Sequence, residues 1–133
     1  MLDQYLRDCA NKQFDWDGFN CGTLAVEWVR MVEPDTHERM LARGFSIPTS
    51  RLSWARAVKE HGGMKAWASE MLDREAIPIT QAQVGDVVLV SGDGYGALGI
   101  CNGRFCAAFT EQYGVQFVPT PTAGWAWPIA RAT

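Results

Sequence analysis

The sequence is poor in histidine and cysteine and has no long apolar run. Only two histidines and four cysteines occur among 133 residues, which excludes sites built from several imidazoles and a dense disulfide scaffold. No apolar segment approaches the ~20 residues that a membrane-spanning helix requires. A net charge of -3 argues against a general nucleic-acid binder. We therefore expect no membrane span and no nucleic-acid partner.

Residues 1–8 carry acidic side chains where a secretory signal would need a basic start and an apolar stretch. We therefore expect synthesis in a reducing compartment, where thiols stay free. The cysteines form no Cys-x-x-Cys or Cys-x-x-His pair, the usual spacing of a zinc site. The sequence predicts no disulfide framework, no metal and no cofactor. Most of the cysteines are expected to be small buried hydrophobes.

Charge is distributed unevenly along the chain. After residue 75 the charged side chains are only Asp86, Asp93, Arg104, Glu111 and Arg131. The first part of the sequence has helical periodicity, and the second has short β-like runs. We predict one α+β domain over residues 1–133, with N-terminal helices packed on a small antiparallel β-sheet. The helical part covers about 1–75 and the β part about 76–133.

Apolar spacing and capping residues predict five helices. They are expected at about residues 2–9, from Cys21, from Pro34 to about Gly44, at about 50–61 and at about 64–73. Asn20 is the predicted N-cap of the second helix. In the fourth helix, Leu52, Ala55 and Val58 are expected to face inward.

Short apolar runs predict an antiparallel sheet in the second part, with a turn at 91–94. The strands are expected at about 87–90, 97–101, 104–109, 115–118 and 126–129. Asn102-Gly103 is the strongest hairpin signal and is read as a two-residue loop. That loop pairs Cys101 with Arg104. It also places Cys106 opposite Gly99, so the two cysteines are not expected to be cross-strand partners.

Cys21 occupies the position with the most chemical interest. It is predicted to lie in the first turn of a helix, where free N–H groups and the helix dipole favour a thiolate. Only the thiolate attacks a carbonyl carbon, and the same N–H groups could help to hold an oxyanion. Cys21 is therefore a candidate nucleophile, with a small apolar packing residue as the alternative.

A longer pattern surrounds this cysteine. It runs Phe14-x-Trp16-x-Gly18-x-Asn20-Cys21-x-Thr23-Leu24-Ala25-x-Glu27-Trp28, then Val84-Gly85-Asp86-Val87-Val88, then Ala97-Leu98-Gly99-Ile100-x-Asn102-Gly103. Over about residues 10–130 the chain resembles the NlpC-type papain-like cysteine peptidases. It is most similar to the branch of that superfamily encoded by tailed bacteriophages.

The resemblance implies a helix-borne cysteine packed against an antiparallel sheet and an ancestral activity of cutting cell-wall peptide bonds. It also implies a location at the virion tail tip after synthesis in the bacterial host cytoplasm. The implied partners are other phage tail proteins at the hub or tip, with peptidoglycan as a further candidate.

The sequence departs from the active pattern of that family. Where active relatives have a histidine, this chain has Ala97. The third, polar residue falls at Ala107 by motif order and at Ala108 by the predicted hairpin pairing. Alanine can neither accept the thiol proton nor orient an imidazole.

The two histidines offer no obvious replacement. His61 ends the fourth predicted helix, where a histidine interacts favourably with the helix C-terminus. It is also the one candidate for an unconventional base. His37 lies in the first turn of a charged helix and is expected to be solvated. Trp16, Trp125 and Trp127 fall in loop or end segments and are candidates for an exposed aromatic patch.

Three functional hypotheses remain. The first is a phage tail-tip structural or binding component whose hydrolase centre is degenerate. The second is an active cysteine amidase or peptidase that cuts peptidoglycan, with Cys21 as nucleophile and a base from His61 or a neighbouring subunit. The third is a small intracellular binding domain with no viral role.

Overall fold

The structure is a computed structural model that describes residues 1–90, 97–120 and 124–130, apart from the side chain of Cys21. Within these described residues, five helices precede the strands. They are α1 (Leu2–Ala10), α2 (Cys21–Val32), α3 (Pro34–Ala42), α4 (Arg51–His61) and α5 (Met64–Leu72). The predicted turn at 91–94 lies outside the described residues.

In the part of the chain that the structure describes, six antiparallel strands form one sheet in the order β1-β6-β2-β3-β4-β5. They are β1 (Ile77–Pro78), β2 (Val87–Val90), β3 (Ala97–Asn102), β4 (Phe105–Thr110), β5 (Gly114–Pro119) and β6 (Gly124–Trp127). A short 3-10 turn follows β1. The predicted α+β class, with helices N-terminal to an antiparallel sheet, is confirmed.

The helices cover one face of the sheet. In one cluster, Val26 of α2 and Trp67 of α5 pack with Leu98 of β3. In a second cluster, residues of α1 and α2 pack with Ile100 and Phe109 of β3 and β4. The opposite face has its own smaller cluster of buried residues, made by Ile79, Val88, Cys101, Cys106 and Ala126. The central strands β2, β3, β4 and β6 are therefore largely buried on both faces, which accounts for the low charge of the β part.

The predicted inward face of α4 is wrong for Leu52 and Ala55, whereas Val58 packs against the edge of the core. Trp54 is its buried residue, whereas Leu52 and Ala55 are exposed and Val58 is half-buried. Trp54 packs against Trp67, with ring centroids 5.0 Å apart. The larger Trp54 indole fills the core from a neighbouring face of the helix, so Leu52 and Ala55 lie at the surface.

The predicted register of the β3–β4 hairpin is wrong by two residues. Asn102 pairs with Phe105, and Cys101 pairs with Cys106. The loop is Gly103-Arg104 because Asn102 stays extended in β3 while Gly103 takes a φ of 82°. A glycine with positive φ at the first central position is the requirement of a type II′ turn. The two cysteines are therefore cross-strand partners, contrary to the prediction.

Two acids, the buried Asp86 and the partly buried Glu33, tie the C-terminal segment to the core. The Asp86 carboxylate accepts from the N–H groups of Gln83 (2.9 Å) and Ile129 (3.1 Å). Asp86 is thus a turn residue, as its position after Gly85 suggests. The Glu33 carboxylate pairs with the Arg74 guanidinium at 2.9 Å and accepts from the Ala130 N–H. These contacts hold the C-terminal segment against the helical layer.

Candidate functional site

Helix α2 begins at Cys21, as predicted, because Asn20 caps it. The Asn20 Oδ1 accepts from the Gly22 N–H at 3.0 Å, and the Asn20 N–H donates to Thr23 Oγ1 at 3.1 Å. These reciprocal bonds form a capping box that fixes the first turn. The backbone of Cys21 therefore stands where the helix dipole favours negative charge. The candidate nucleophile's side chain lies outside the described part of the structure.

Asn20 also fixes the surroundings of that turn. Its buried side-chain amide donates to the carbonyl oxygens of Trp16 (3.1 Å) and Pro48 (3.0 Å). The first bond holds the aromatic loop before α2, and the second holds the segment that leads into α4. One capping residue thus brings two loops together at the N-terminus of α2.

A cleft of about 750 Å³ opens beside this junction. Its walls are Phe14, Trp16, Arg51, Leu52, Trp54, Ala55, Val58, Met64, Phe109 and Glu111. Most of these side chains are apolar or aromatic. The volume lies in the range of small-ligand pockets, which are concave and mainly apolar with a few polar groups. The apolar stripe of α4 that was predicted to face the core forms one wall.

Trp54 connects the cleft to the first turn of α2. A Cβ added to Gly22 would lie 2.4 Å from Trp54 Cζ2, so the indole rests directly on the Gly22 backbone. Cζ2 lies on the edge of the ring next to Nε1. Among the described residues, the buried Trp54 Nε1–H has no hydrogen-bond partner. An acceptor brought to this edge would offset the roughly 1–3 kcal/mol cost of a buried, unpaired donor.

Polar groups lie at the rim of the cleft. Trp16 Nε1 donates to the Glu111 carboxylate at 3.3 Å, and Arg51 Nη2 lies 3.8 Å from the other oxygen of that carboxylate. Both charged side chains are exposed, so their attraction contributes little to folding. They leave one positive and one negative group at the rim of the cleft.

The alanines in the expected base positions do not form a catalytic centre. Ala107 packs in the cluster that contains Leu24 and Trp28 of α2. Ala97 lies opposite Val90, which packs on the face of the sheet away from the helices. Ala108 alternates with Ala107 and so points to that same far face. Only Ala107 faces α2, and it has no group that can accept a proton.

Neither histidine lines the cleft. His61 Nδ1 donates to the Ala57 carbonyl at 2.8 Å, and Nε2 lies 3.3 Å from the Glu70 carboxylate. His61 is seven residues after Trp54, about 10 Å further along the α4 axis at 1.5 Å per residue. It lines a separate cavity of about 260 Å³ with Phe45 and Trp67. His37 is half-buried in α3.

The aromatic patch proposed from sequence is only partly found. Trp16 lines the cleft, whereas Trp127 is completely buried and donates to Ser69 Oγ at 3.1 Å. The Lys65 Nζ lies 3.4 Å from the centroid of the half-buried Trp125 ring. Trp127 is buried because it lies in β6, next to β2 in the middle of the sheet.

Replacing Gly22 by alanine tests how closely the cleft depends on this packing. The new methyl group would overlap the Trp54 indole, so we expect a loss of roughly 1–3 kcal/mol in unfolding free energy and an altered tryptophan emission. Gly18→Ala is the matched control, because its Cβ would meet only the exposed Asp15 side chain, at 3.3 Å. Urea titrations of both variants measure the difference. Equal losses of unfolding free energy in the two variants would contradict the close contact between Gly22 and Trp54.

In the part of the chain that the structure describes, no group of three or more potential metal ligands comes together. Nor is any helix there long and apolar enough to cross a bilayer. No curated protein and no solved structure matches the chain. One family model does match, over residues 1–129, and its description is a domain of unknown function, DUF6950. The chain therefore belongs to the DUF6950 family.

Proposed function

We propose that this protein is a binding component of a phage tail tip, built on an NlpC-type papain-like fold whose hydrolase centre is degenerate. In this proposal the cleft beside α2 holds a segment of another tail protein at the hub or tip. The domain is made in the bacterial host cytoplasm and acts in the virion.

The observation that carries the proposal is the cleft itself. A ligand-sized apolar space lies beside the first turn of the helix that begins with Cys21. Its exposed apolar wall residue, Leu52, has 61% of its surface accessible. An apolar wall of this kind loses contact with water when a partner covers it, which favours association. The paired Arg51 and Glu111 at the rim could orient such a partner.

The lining of the same cleft argues against catalysis. It contains no histidine, and both ring nitrogens of His61 already have partners at the far end of α4. Peptide cleavage needs a group that takes the thiol proton and returns it to the leaving amine. Glu111, the acid at the rim, is hydrogen-bonded to Trp16 and lies near Arg51. None of the described residues that line the cleft is therefore a free base for this step.

The test of this proposal has two parts. First, virions of the encoding phage are cross-linked and their tryptic peptides identified, with cross-links expected between this protein and a tail-hub or tip protein. Second, the captured partner is titrated against purified protein by calorimetry. Absence of the protein from tails would contradict the location. Binding to isolated peptidoglycan in place of a tail protein would contradict the proposed partner.

A substitution in the cleft should weaken that partner's binding. Leu52→Arg places a charge on the apolar wall, which must lose its hydration when the partner binds. We expect at least a tenfold weaker Kd, equivalent to about 1.4 kcal/mol. Leu41→Arg is the matched control, because Leu41 is 53% exposed on α3 and does not line the cleft. Equal weakening by the two variants, or none by Leu52→Arg, would place the partner elsewhere.

A further inference from the structure

The β3–β4 hairpin places two cysteines directly opposite each other. Cys101 pairs with Cys106, and the backbone N–H and C=O of Cys101 bond away from β4, to Asp86 (2.9 Å) and Gly85 (2.8 Å). Cys101 and Cys106 therefore form a non-hydrogen-bonded pair, the type in which Cα atoms are about 4.5 Å apart and side chains are closest. Disulfides need a Cα separation of about 4.4–6.8 Å.

Both thiols point to the face of the sheet away from the helices. They belong to the buried cluster on that face, and their exposed fractions are 1% for Cys101 and 0% for Cys106. The Cys101 thiol lies 3.7 Å from the Gly103 carbonyl, and the Cys106 sulfur lies 3.5 Å from Thr120 Oγ1. The hairpin thus holds both side chains in place beside its turn, on the opposite side of the sheet from α2.

We propose that Cys101 and Cys106 are a modification site at which a hydroperoxide forms a reversible intrachain disulfide. The Cys101 sulfur attacks a peroxide oxygen and the O–O bond breaks. The other oxygen takes the thiol proton and leaves as water from hydrogen peroxide, or as an alcohol from an organic hydroperoxide, with Cys101 left as a sulfenic acid. The Cys106 sulfur then attacks the Cys101 sulfur, forming the S–S bond as the S–O bond breaks and water leaves. The two thiols lose two electrons in total, and hydrogen peroxide is reduced to two waters.

The environment of the pair favours this order of attack. Hydrogen bonding with Cys106 lowers the pKa of the Cys101 thiol, and the same contact raises the pKa of the Cys106 thiol. The thiolate is the nucleophile toward peroxide, so Cys101 is the sulfur that reacts first. Both sulfurs are buried, so an oxidant reaches them through local opening of the hairpin, and a small peroxide needs less opening than a large disulfide reagent. A cellular hydroperoxide is therefore the chemical class of oxidant that this site would take.

Cys9 provides an internal control. It is buried to the same degree as Cys101, and burial raises the pKa of its thiol. It packs with Leu6 and Leu24 in the helical layer, in the cluster that contains neither Cys101 nor Cys106. Burial alone would therefore protect Cys9 and Cys101 equally, whereas pairing would make only the hairpin cysteines react.

The experiment uses the full chain carrying Cys21→Ala, so that a fourth thiol does not complicate the map. Reduced protein is treated with hydrogen peroxide, denatured, alkylated with N-ethylmaleimide and digested for mass spectrometry. We expect Cys101 and Cys106 to lose alkylation together, about tenfold faster than Cys9, and to appear as one disulfide-linked peptide pair. Dithiothreitol should restore their alkylation.

Cys106→Ala separates the two steps. Without the second sulfur, we expect Cys101 to accumulate as a sulfenic acid that dimedone traps, with no intrachain disulfide. Near-ultraviolet circular dichroism checks that the variant is folded, and if it is not, the alkylation map of the protein that carries only Cys21→Ala decides the question. In the protein that retains Cys106, oxidation of Cys101 without a link to Cys106, or loss of its alkylation at the rate of Cys9, would overturn the proposal.

Discussion

Replacing Asp86 by alanine should lower the free energy of unfolding by roughly 2–4 kcal/mol, because buried N–H groups then lose their acceptor. The Asp86 carboxylate accepts from Gln83 and from the buried N–H of Ile129, 43 residues later in the chain. Asp86 is itself completely buried, so water cannot replace these bonds without opening the structure. The loss should appear in urea unfolding and as faster amide exchange at Ile129.

Two further variants make this expectation specific. Asp86→Asn keeps one carbonyl acceptor, so we expect a loss intermediate between the native protein and Asp86→Ala. Asp17→Ala is the matched control, because Asp17 is exposed in the loop before α2. A loss of less than about 0.5 kcal/mol for Asp86→Ala, the range of an ordinary surface change, would contradict this account.

The second large effect is a loss of stability in acid that originates at Glu33. Burial raises the pKa of this carboxyl, but hydrogen bonds from Arg74, Thr36 and Ala130 outweigh it and lower the pKa from 4.5 to about 2. A depressed folded-state pKa stabilises the fold fully above the unfolded value of 4.5 and loses that contribution as the pH falls to about 2. The difference corresponds to roughly 3 kcal/mol.

Glu33→Gln isolates this contribution. The amide cannot ionise, so the variant should be roughly 2–3 kcal/mol less stable at pH 7 and should lose less stability than wild type between pH 4.5 and pH 2. Glu38→Gln, at an exposed position in α3, is the control and should follow the wild-type curve. Chemical unfolding at several pH values measures all three proteins. If the unfolding free energies of Glu33→Gln and wild type fell in parallel as the pH is lowered, the loss of stability in acid would originate at other groups.

Local sequence signals predicted the elements but not how they meet. The start of α2 was predictable because Asn20 and Thr23 satisfy the first N–H groups within one turn. The β3–β4 register was not, because Asn-Gly is compatible with more than one turn. Which one forms depends on whether Asn102 or only Gly103 leaves the extended conformation. The turn that forms determines whether Cys101 and Cys106 are cross-strand partners.

The candidate site was predictable only in part. Sequence reasoning selected Cys21 and the alanine positions, which lie along one motif. The cleft depends on contacts between distant segments, such as Trp16 with Glu111, 95 residues apart. Its sequence signal was the second apolar stripe of α4, at Leu52, Ala55 and Val58, which was assigned to the core. The Trp54 indole takes the core position of α4, and the three residues of the stripe line the surface cleft.

We propose that the domain binds a tail protein and does not cleave peptidoglycan. The most direct measurement is the release of new amino groups from purified peptidoglycan by the reduced wild-type protein, compared with Cys21→Ala at the same concentration. We expect the two proteins to be indistinguishable over pH 5–8, because no described group beside the first turn of α2 can serve as the base. Turnover by wild type that Cys21→Ala abolishes would contradict the claim and establish a working cysteine amidase.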